Sequence, residues 1–171
     1  MYEIQKIEST LELPYNLIDI DTANEHFIFR FNAFDDNQTD YSIKRGGVTG
    51  EFGVVYQCSG TECSFGCDIT VGNVFDFYKS LDNAYDIMLG KNSSAFLTNY
   101  GNTLNRTNLI IKFDNKGHCF ADGYFKNADN QYKSGIFFSF EIDRLYISYM
   151  IKSMDDFFHE LIRIQGHNKF Y

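Results

Sequence analysis

The amino-acid sequence has no tryptophan, one proline and few basic residues, with 15 Lys and Arg against 23 Asp and Glu. No apolar run approaches the roughly 18 residues that a transmembrane helix requires, so the sequence predicts no membrane-spanning helix. Disorder is excluded as well, because 44% of the 171 residues are hydrophobic and 18% are aromatic. A chain of this length can bury a sufficient core without a disulfide or a metal ion, and we expect residues 1–171 to form a single domain.

Export signals and metal-binding patterns are also missing. The start of the chain, residues 1–8, has neither the basic nor the apolar stretch of a signal peptide, which predicts a cytoplasmic protein. The cysteines are Cys58, Cys63, Cys67 and Cys119. In the cytoplasm they are expected to be free thiols, and none forms the Cys-x2-Cys pair typical of structural zinc. The sequence therefore predicts no metal ion and no cofactor.

The surplus of acidic residues gives a net charge of −8 and is concentrated in the first third of the chain. Residues 1–57 contain ten acidic and four basic residues, a net charge of −6. A negative field of this kind repels nucleic acid and anionic membranes and attracts basic proteins. We therefore expect neither nucleic acid nor a membrane as partner. Acidity that serves only solubility is the alternative interpretation.

Alternating apolar and polar residues predict a series of strands. In residues 26–34, Phe27, Phe29 and Phe31 fall on one face, which is typical of a half-buried strand with an aromatic core face. Further strands are predicted at 41–57, 62–71, 94–97, 108–113, 118–125 and 135–142. The aromatic residues at 136–140 are also interpreted as core. The loops are too short for crossover helices, so we expect antiparallel pairing.

Two stretches have the 3.6-residue period of a helix. Apolar residues repeat at this spacing over about 73–89, where Asn73 is a candidate N-cap. A second helix is predicted at about 153–165, starting at Ser153, whereas 143–152 fits either a strand or a short helix. The sequence thus predicts an α+β fold, with an antiparallel β-sheet or two-sheet sandwich, an inserted amphipathic helix and a C-terminal helix. We expect the acidic segment 1–25 to be partly irregular.

Catalytic motifs are missing: there is no nucleophile elbow, no phosphate-binding loop and no dinucleotide fingerprint. His159-Glu160 begins a zinc-protease motif, but Arg163 occupies the position of the second histidine. His118 and Cys119 are adjacent in a predicted strand, so their side chains point to opposite faces and cannot hydrogen-bond to each other. We therefore expect a protein that is not an enzyme. A small enzyme or ligand-binding domain that uses the His118/Cys119 region is the alternative.

The order of these blocks resembles a known protein family. The similarity lies in the helix Phe75-Asp-Phe-Tyr-Lys-Ser-Leu81, the stretch Gly117-His118-Cys-Phe-Ala-Asp-Gly-Tyr124 and the stretch Phe138-Ser-Phe-Glu-Ile-Asp143 before the final helix. With these features the sequence resembles the immunity proteins encoded beside bacterial polymorphic toxins, of the WapI-type and contact-dependent growth inhibition systems. The resemblance covers roughly residues 26–165.

The resemblance implies a single immunity-type domain, a cytoplasmic inhibitor without enzymatic activity. Its partner would be the C-terminal toxin domain of a cognate effector, a basic protein that we expect to be a nuclease. On this basis we expect acidic side chains to contact the toxin. The candidates are Asp35, Asp36, Asp40, Asp76, Asp82 and Asp86. A structural or adaptor domain without a toxin partner is a further alternative.

Overall fold

Two four-stranded antiparallel sheets and two helices make up the fold of the computed structural model. The structure describes residues 9–34, 50–88, 91–98, 107–128 and 133–165. The elements are β1 (Tyr15–Asp21), β2 (Glu25–Phe34), β3 (Gly50–Cys58), β4 (Thr61–Cys67), α1 (Val71–Ile87), β5 (Ser93–Thr98), β6 (Asn108–Phe113), β7 (Cys119–Lys126), β8 (Gly135–Ile142) and α2 (Arg144–Gln165). The predicted α+β class with two helices is confirmed, and of the two predicted sheet arrangements the structure shows two sheets.

The first sheet has the strand order β1-β2-β3-β4. Its strand β1 lies inside the segment 1–25 that the sequence predicts to be partly irregular. A bulge between Asn16 and Ile18 interrupts the pairing with β2, and consecutive Leu17 and Ile18 are both buried. A bulge breaks the strict two-residue alternation by which a strand is recognised, which explains why the pattern of β1 is indistinct.

The second sheet has the order β5-β6-β7-β8, with each strand antiparallel to the next. A turn at residues 115–116 joins β6 to β7. Asp114 Oδ1 accepts hydrogen bonds from the backbone N–H groups of Lys116 at 2.8 Å and His118 at 2.9 Å. Gly117 has φ +85°, a conformation that glycine adopts without the steric cost of a side chain.

The N-cap of helix α1 lies three residues before the predicted one. Thr70 is the N-cap, and its hydroxyl accepts a hydrogen bond from the N–H of Asn73 at 3.1 Å. The amide oxygen of Asn73 in turn accepts the N–H of Thr70 at 3.1 Å, which completes a capping box. Asn73 therefore sits at the third helical position, where it satisfies the N-cap backbone instead of capping the helix itself.

Helix α2 starts at Arg144, nine residues before the predicted start, and includes the ambiguous stretch 143–152 except for its first residue. Ile147, Met150 and Met154 form its buried stripe. Leu145 and Tyr149 are 62% and 63% exposed on the other side. Apolar residues thus occupy both the buried and the exposed side of the first turns of α2. The sequence of this stretch therefore alternates with the two-residue period that is typical of a strand.

Both sheets and both helices share one core. The Phe27 ring lies 5.5 Å from that of Phe125 and 4.6 Å from that of Phe138, so the inner faces of the two sheets are in contact. The Phe31 ring lies 5.1 Å from that of Phe157, which packs α2 against the first sheet. Helix α1 packs on β5 and on α2. In the described segments, neither helix has the length and apolar character needed to cross a bilayer.

Candidate binding face on the second sheet

Three of the six acidic residues predicted to bind a toxin lie in the described segments. Asp35, Asp36 and Asp40 lie outside the described residues, so their prediction stays a prediction. Asp76, Asp82 and Asp86 lie on the polar side of α1, and Asp82 and Asp86 are one helical turn apart. Helix α1 packs on the second sheet with its apolar side, and these carboxylates point away from that contact.

The alternative site around His118 and Cys119 lacks a reactive thiol. The Cys119 side chain is 1% exposed, and burial raises its pKa to about 11. The thiolate is the nucleophilic form, so a thiol with this pKa is unreactive near neutral pH. His118 is directed outwards, and its Nδ1 lies 2.7 Å from Asp114 Oδ2. Nothing in this geometry supports catalysis or ligand binding at the pair.

A metal centre finds no support in the described part of the chain, where no three His, Cys, Asp or Glu residues are grouped so that they could hold an ion. The four cysteines are free thiols. Cys67 is buried, and burial raises the pKa of its thiol.

The outer face of the second sheet exposes a group of large apolar side chains. Phe96 of β5 is 51% exposed and Phe137 of β8 is 79% exposed. The outward side of the strands between them carries Ile110, Phe120 and Tyr124. We call these five residues the aromatic face. Isolated exposed apolar residues are common, whereas a contiguous group marks an interaction site.

The strand register arranges this face in rows that run across the four strands. The rows are Ser94–Lys112–Phe120–Glu141, Phe96–Ile110–Asp122–Ser139 and Thr98–Asn108–Tyr124–Phe137. Adjacent rows are two residues apart along each strand, which corresponds to about 7 Å. In the third row, the Tyr124 and Phe137 rings have centroids 5.6 Å apart and an interplanar angle of 35°. Together these two rings form a broad surface on which a flat group can stack.

Two polar side chains lie beside the rings. The Asp122 carboxylate accepts hydrogen bonds from Lys112 Nζ and Ser139 Oγ. The bond from Lys112, and after it the bond from Ser139, holds the pKa of Asp122 below its usual range. Asn108 Oδ1 is buried and has no hydrogen-bond partner among the described residues.

A shallow open cavity of about 500 Å³ connects these groups. Its lining includes Asn108, Asp122, Tyr124, Phe137 and Ser139. The cavity therefore offers stacking surface and hydrogen-bonding groups to the same ligand.

The sequence interpretation missed this face because it assigned the aromatic residues at 136–140 to the core. That assignment is right for Phe138, which is 7% exposed, and wrong for Phe137. A signal was present in the alternation of β8, because Phe137 shares its side of the strand with Gly135, Ser139 and Glu141. A phenylalanine among small and polar residues of an alternating strand faces solvent.

The charge of this region differs from that of the rest of the chain. Residues 91–142 contain six basic and four acidic residues, whereas the remainder contains nine basic and nineteen acidic residues. Exposed Lys91 and Lys116 lie near one end of the second sheet, and Lys126 and Lys133 lie near the other. Lysines thus lie near both ends of the second sheet, and the carboxylates of Asp114 and Glu141 lie near the first of these ends.

Comparisons with known proteins give structural similarity only. No family model matches the chain, and no curated protein does. Similar solved structures include WHY1 from Arabidopsis thaliana, with a TM-score of 0.49, 12% identity and coverage of 89% of this chain and 93% of that chain. The plant transcriptional regulator PBF-2 has a TM-score of 0.46, 7% identity and coverage of 90% and 88%. These similarities concern the course of the chain and transfer no residue role.

The comparisons contradict the function inferred from the family resemblance. The similar structures are those of WHY1 and a plant transcriptional regulator, and neither is a toxin-immunity protein. The prediction of a toxin inhibitor is therefore wrong, as are the cognate toxin as partner and the exclusion of nucleic acid. The resemblance to immunity proteins reflected the order of strands and helices, which unrelated functions share.

Proposed function

We propose that the chain is a binding domain without enzymatic activity, and that single-stranded nucleic acid lies across the aromatic face. The observation that carries the proposal is the 79% exposure of Phe137 in the middle of a strand, next to Tyr124 and on the same sheet face as Phe96. Burial of a phenylalanine side chain contributes about 1.5–3 kcal/mol. Because most of the Phe137 side chain is exposed to water, most of this free energy becomes available only when a ligand covers the ring.

A single strand fits this face better than a duplex. Bases in a single strand expose their flat faces, and stacking on aromatic side chains is the usual way in which sheet surfaces hold them. Bases in a duplex are stacked on one another about 3.4 Å apart. The rows of the aromatic face are separated by about 7 Å. This spacing fits bases of a single strand that are not stacked on one another.

The positions of the lysines support an anionic ligand. Lys91 and Lys116 near one end of the sheet and Lys126 and Lys133 near the other lie where a strand crossing the rings would place its phosphates. Each phosphate contact releases bound counterions, so affinity should fall with salt concentration.

The test is fluorescence anisotropy with labelled single-stranded DNA and RNA of mixed sequence, and with the corresponding duplexes. Loss of one base–aromatic stack weakens binding by about 1–3 kcal/mol, or roughly five- to 150-fold. We expect that loss for Phe137→Ala. The matched control is Tyr149→Ala, which removes an aromatic ring that is 63% exposed on α2, outside the second sheet.

Two results would refute the proposal. One is that the unaltered protein binds none of the single strands at low salt. The other is that Phe137→Ala and Tyr149→Ala have the same affinity for them. Tighter binding of duplexes than of single strands would contradict base stacking on the aromatic face as the mode of recognition.

We propose the cytoplasm as the compartment of the protein. All four cysteines are unpaired thiols, the state that a reducing compartment maintains. Fractionation of cells that produce the native protein tests this, and recovery from an extracellular fraction would contradict it.

A further inference from the structure

Two hydrogen-bond acceptors, the Asp122 carboxylate and Asn108 Oδ1, lie beside the aromatic face. We infer that Asn108 and Asp122 make this face select bases that carry an exocyclic amino group, so that cytosine is preferred to uracil. This inference rests on the proposed function, because it names the chemistry of the bases that the same face would hold. It is carried by the placement of both acceptors in one cavity with Tyr124 and Phe137.

The Asp122 carboxylate is fixed in position. Lys112 Nζ donates to Oδ2 and Ser139 Oγ donates to Oδ1, so each oxygen has one partner within the sheet. An ionised carboxylate accepts about four hydrogen bonds and donates none. Two acceptor positions therefore stay available to a ligand, while the Ser139 hydroxyl and one of the three Lys112 N–H donors are already engaged.

Asn108 supplies the second acceptor. Its Oδ1 is buried and has no partner in the described segments, which is unfavourable until a donor arrives. Asn108 lies directly opposite Tyr124 in the β6–β7 pairing, so their Cβ atoms are about 5 Å apart. A base stacked on the Tyr124 and Phe137 rings would have its edge beside Asn108, which lines the same cavity.

Cytosine and uracil distinguish an acceptor site from a simple stacking surface. Cytosine has an amino donor at C4, and a pyrimidine with a carbonyl at C4 has an acceptor there. A donor at this position satisfies the unpaired acceptor, whereas a carbonyl faces it and leaves both groups without a partner. Sites built to hydrogen-bond a ligand group discriminate strongly against the analogue that lacks it.

The experiment compares short oligo(dC) and oligo(dU) of equal length at slightly alkaline pH, with affinity measured by anisotropy. We expect oligo(dC) to bind about two- to tenfold more tightly, the effect of one hydrogen bond. Asn108→Ala should reduce this ratio, whereas Asn108→Asp keeps an acceptor and should retain it. Ser94→Ala, which changes an exposed hydroxyl in another row, is the control and should leave the ratio unchanged.

The outcomes separate this inference from the proposed function. If neither oligonucleotide binds, the proposed function and the inference both fail. If both bind equally, or oligo(dU) binds more tightly, the inference alone is overturned. If Asn108→Ala does not fold, as judged by circular dichroism, Asp122→Ala decides. That change removes one acceptor and releases Lys112, so both affinities should rise and the ratio should fall, and an unchanged ratio would overturn the inference.

Discussion

Replacing Glu160 with glutamine tests how the start of the described chain is attached to α2. The Glu160 side chain is almost completely buried, with 8% exposure of the residue. Its Oε1 accepts hydrogen bonds from Thr10 N at 2.6 Å and from Thr10 Oγ1 at 3.0 Å. Arg163 donates from Nε to Oε2 and from a terminal guanidinium nitrogen to Oε1, both at 2.7 Å. One carboxylate thus joins residues that are 150 positions apart.

The size of the effect follows from the pKa of this carboxyl group. The hydrogen bond from Arg163, assisted by those from Thr10, lowers the pKa of Glu160 from its ordinary value of 4.5 to about 2. At about 1.4 kcal/mol for each pH unit, this corresponds to at most about 3 kcal/mol. The Arg163 side chain is 43% exposed, and water screens a pair of this kind. We therefore expect Glu160→Gln to lower the free energy of unfolding by about 2 kcal/mol near neutral pH.

The contribution of Glu160 to the free energy of unfolding decreases as the pH falls. Because the folded protein binds this proton less readily than the unfolded chain, the stabilisation is complete above the ordinary pKa of 4.5 and disappears as pH falls through about 2. Urea denaturation of the unaltered protein and of Glu160→Gln should be compared from neutral pH to strongly acidic pH. The difference between them should shrink over that range. A difference that is independent of pH, or close to zero at neutral pH, would refute this account of Glu160.

Two further predictions concern backbone contacts. A Cβ atom at Gly123 would lie 2.5 Å from a carbonyl oxygen of the neighbouring strand, whereas one at Gly53 would meet the end of a flexible asparagine side chain at 2.6 Å. Gly123→Ala should therefore destabilise the protein by about 1–3 kcal/mol in thermal denaturation and Gly53→Ala by less, and equal losses would contradict this. Thr70→Ala removes the N-cap of α1 and should cost about 1 kcal/mol, whereas Thr70→Ser should cost little. Equal stability of these two variants would show that the hydroxyl does not cap the helix.

Local periodicity was sufficient to predict most of the sheets. Strand β6 was predicted with its observed bounds, and β8 likewise, because side chains of each strand alternate between the core and solvent. The first half of α2 could not be decided in the same way. Its exposed Leu145 and Tyr149 contribute apolar residues on the solvent side, and only packing against the rest of the fold identifies the buried stripe.

The candidate site was harder to predict than the fold. Phe96 and Phe137 come from the two edge strands of the sheet, 41 positions apart in the sequence, and only the order β5-β6-β7-β8 places them on one surface. The unpaired oxygen of Asn108 and the engagement of Asp122 by its neighbours depend on side-chain contacts across strands. Contacts of this kind cannot be predicted from a single sequence. The exposure of Phe137 could have been predicted, because its neighbours on the same side of β8 are small or polar.

The sequence interpretation located the acidic surplus in residues 1–57 but could not relate it to the position of a binding surface. Charges in water are screened over about 8–10 Å at physiological salt, so a phosphate responds to the residues near it. Helix α1 packs on β5, while Phe96 of the same strand is exposed on the outer side. Asp76, Asp82 and Asp86 are thus on the far side of the sheet from the aromatic face, beyond a layer about 10 Å thick. A phosphate on this face is closer to the lysines at the two ends of the sheet than to these three carboxylates, so the net charge of −8 does not by itself argue against its binding.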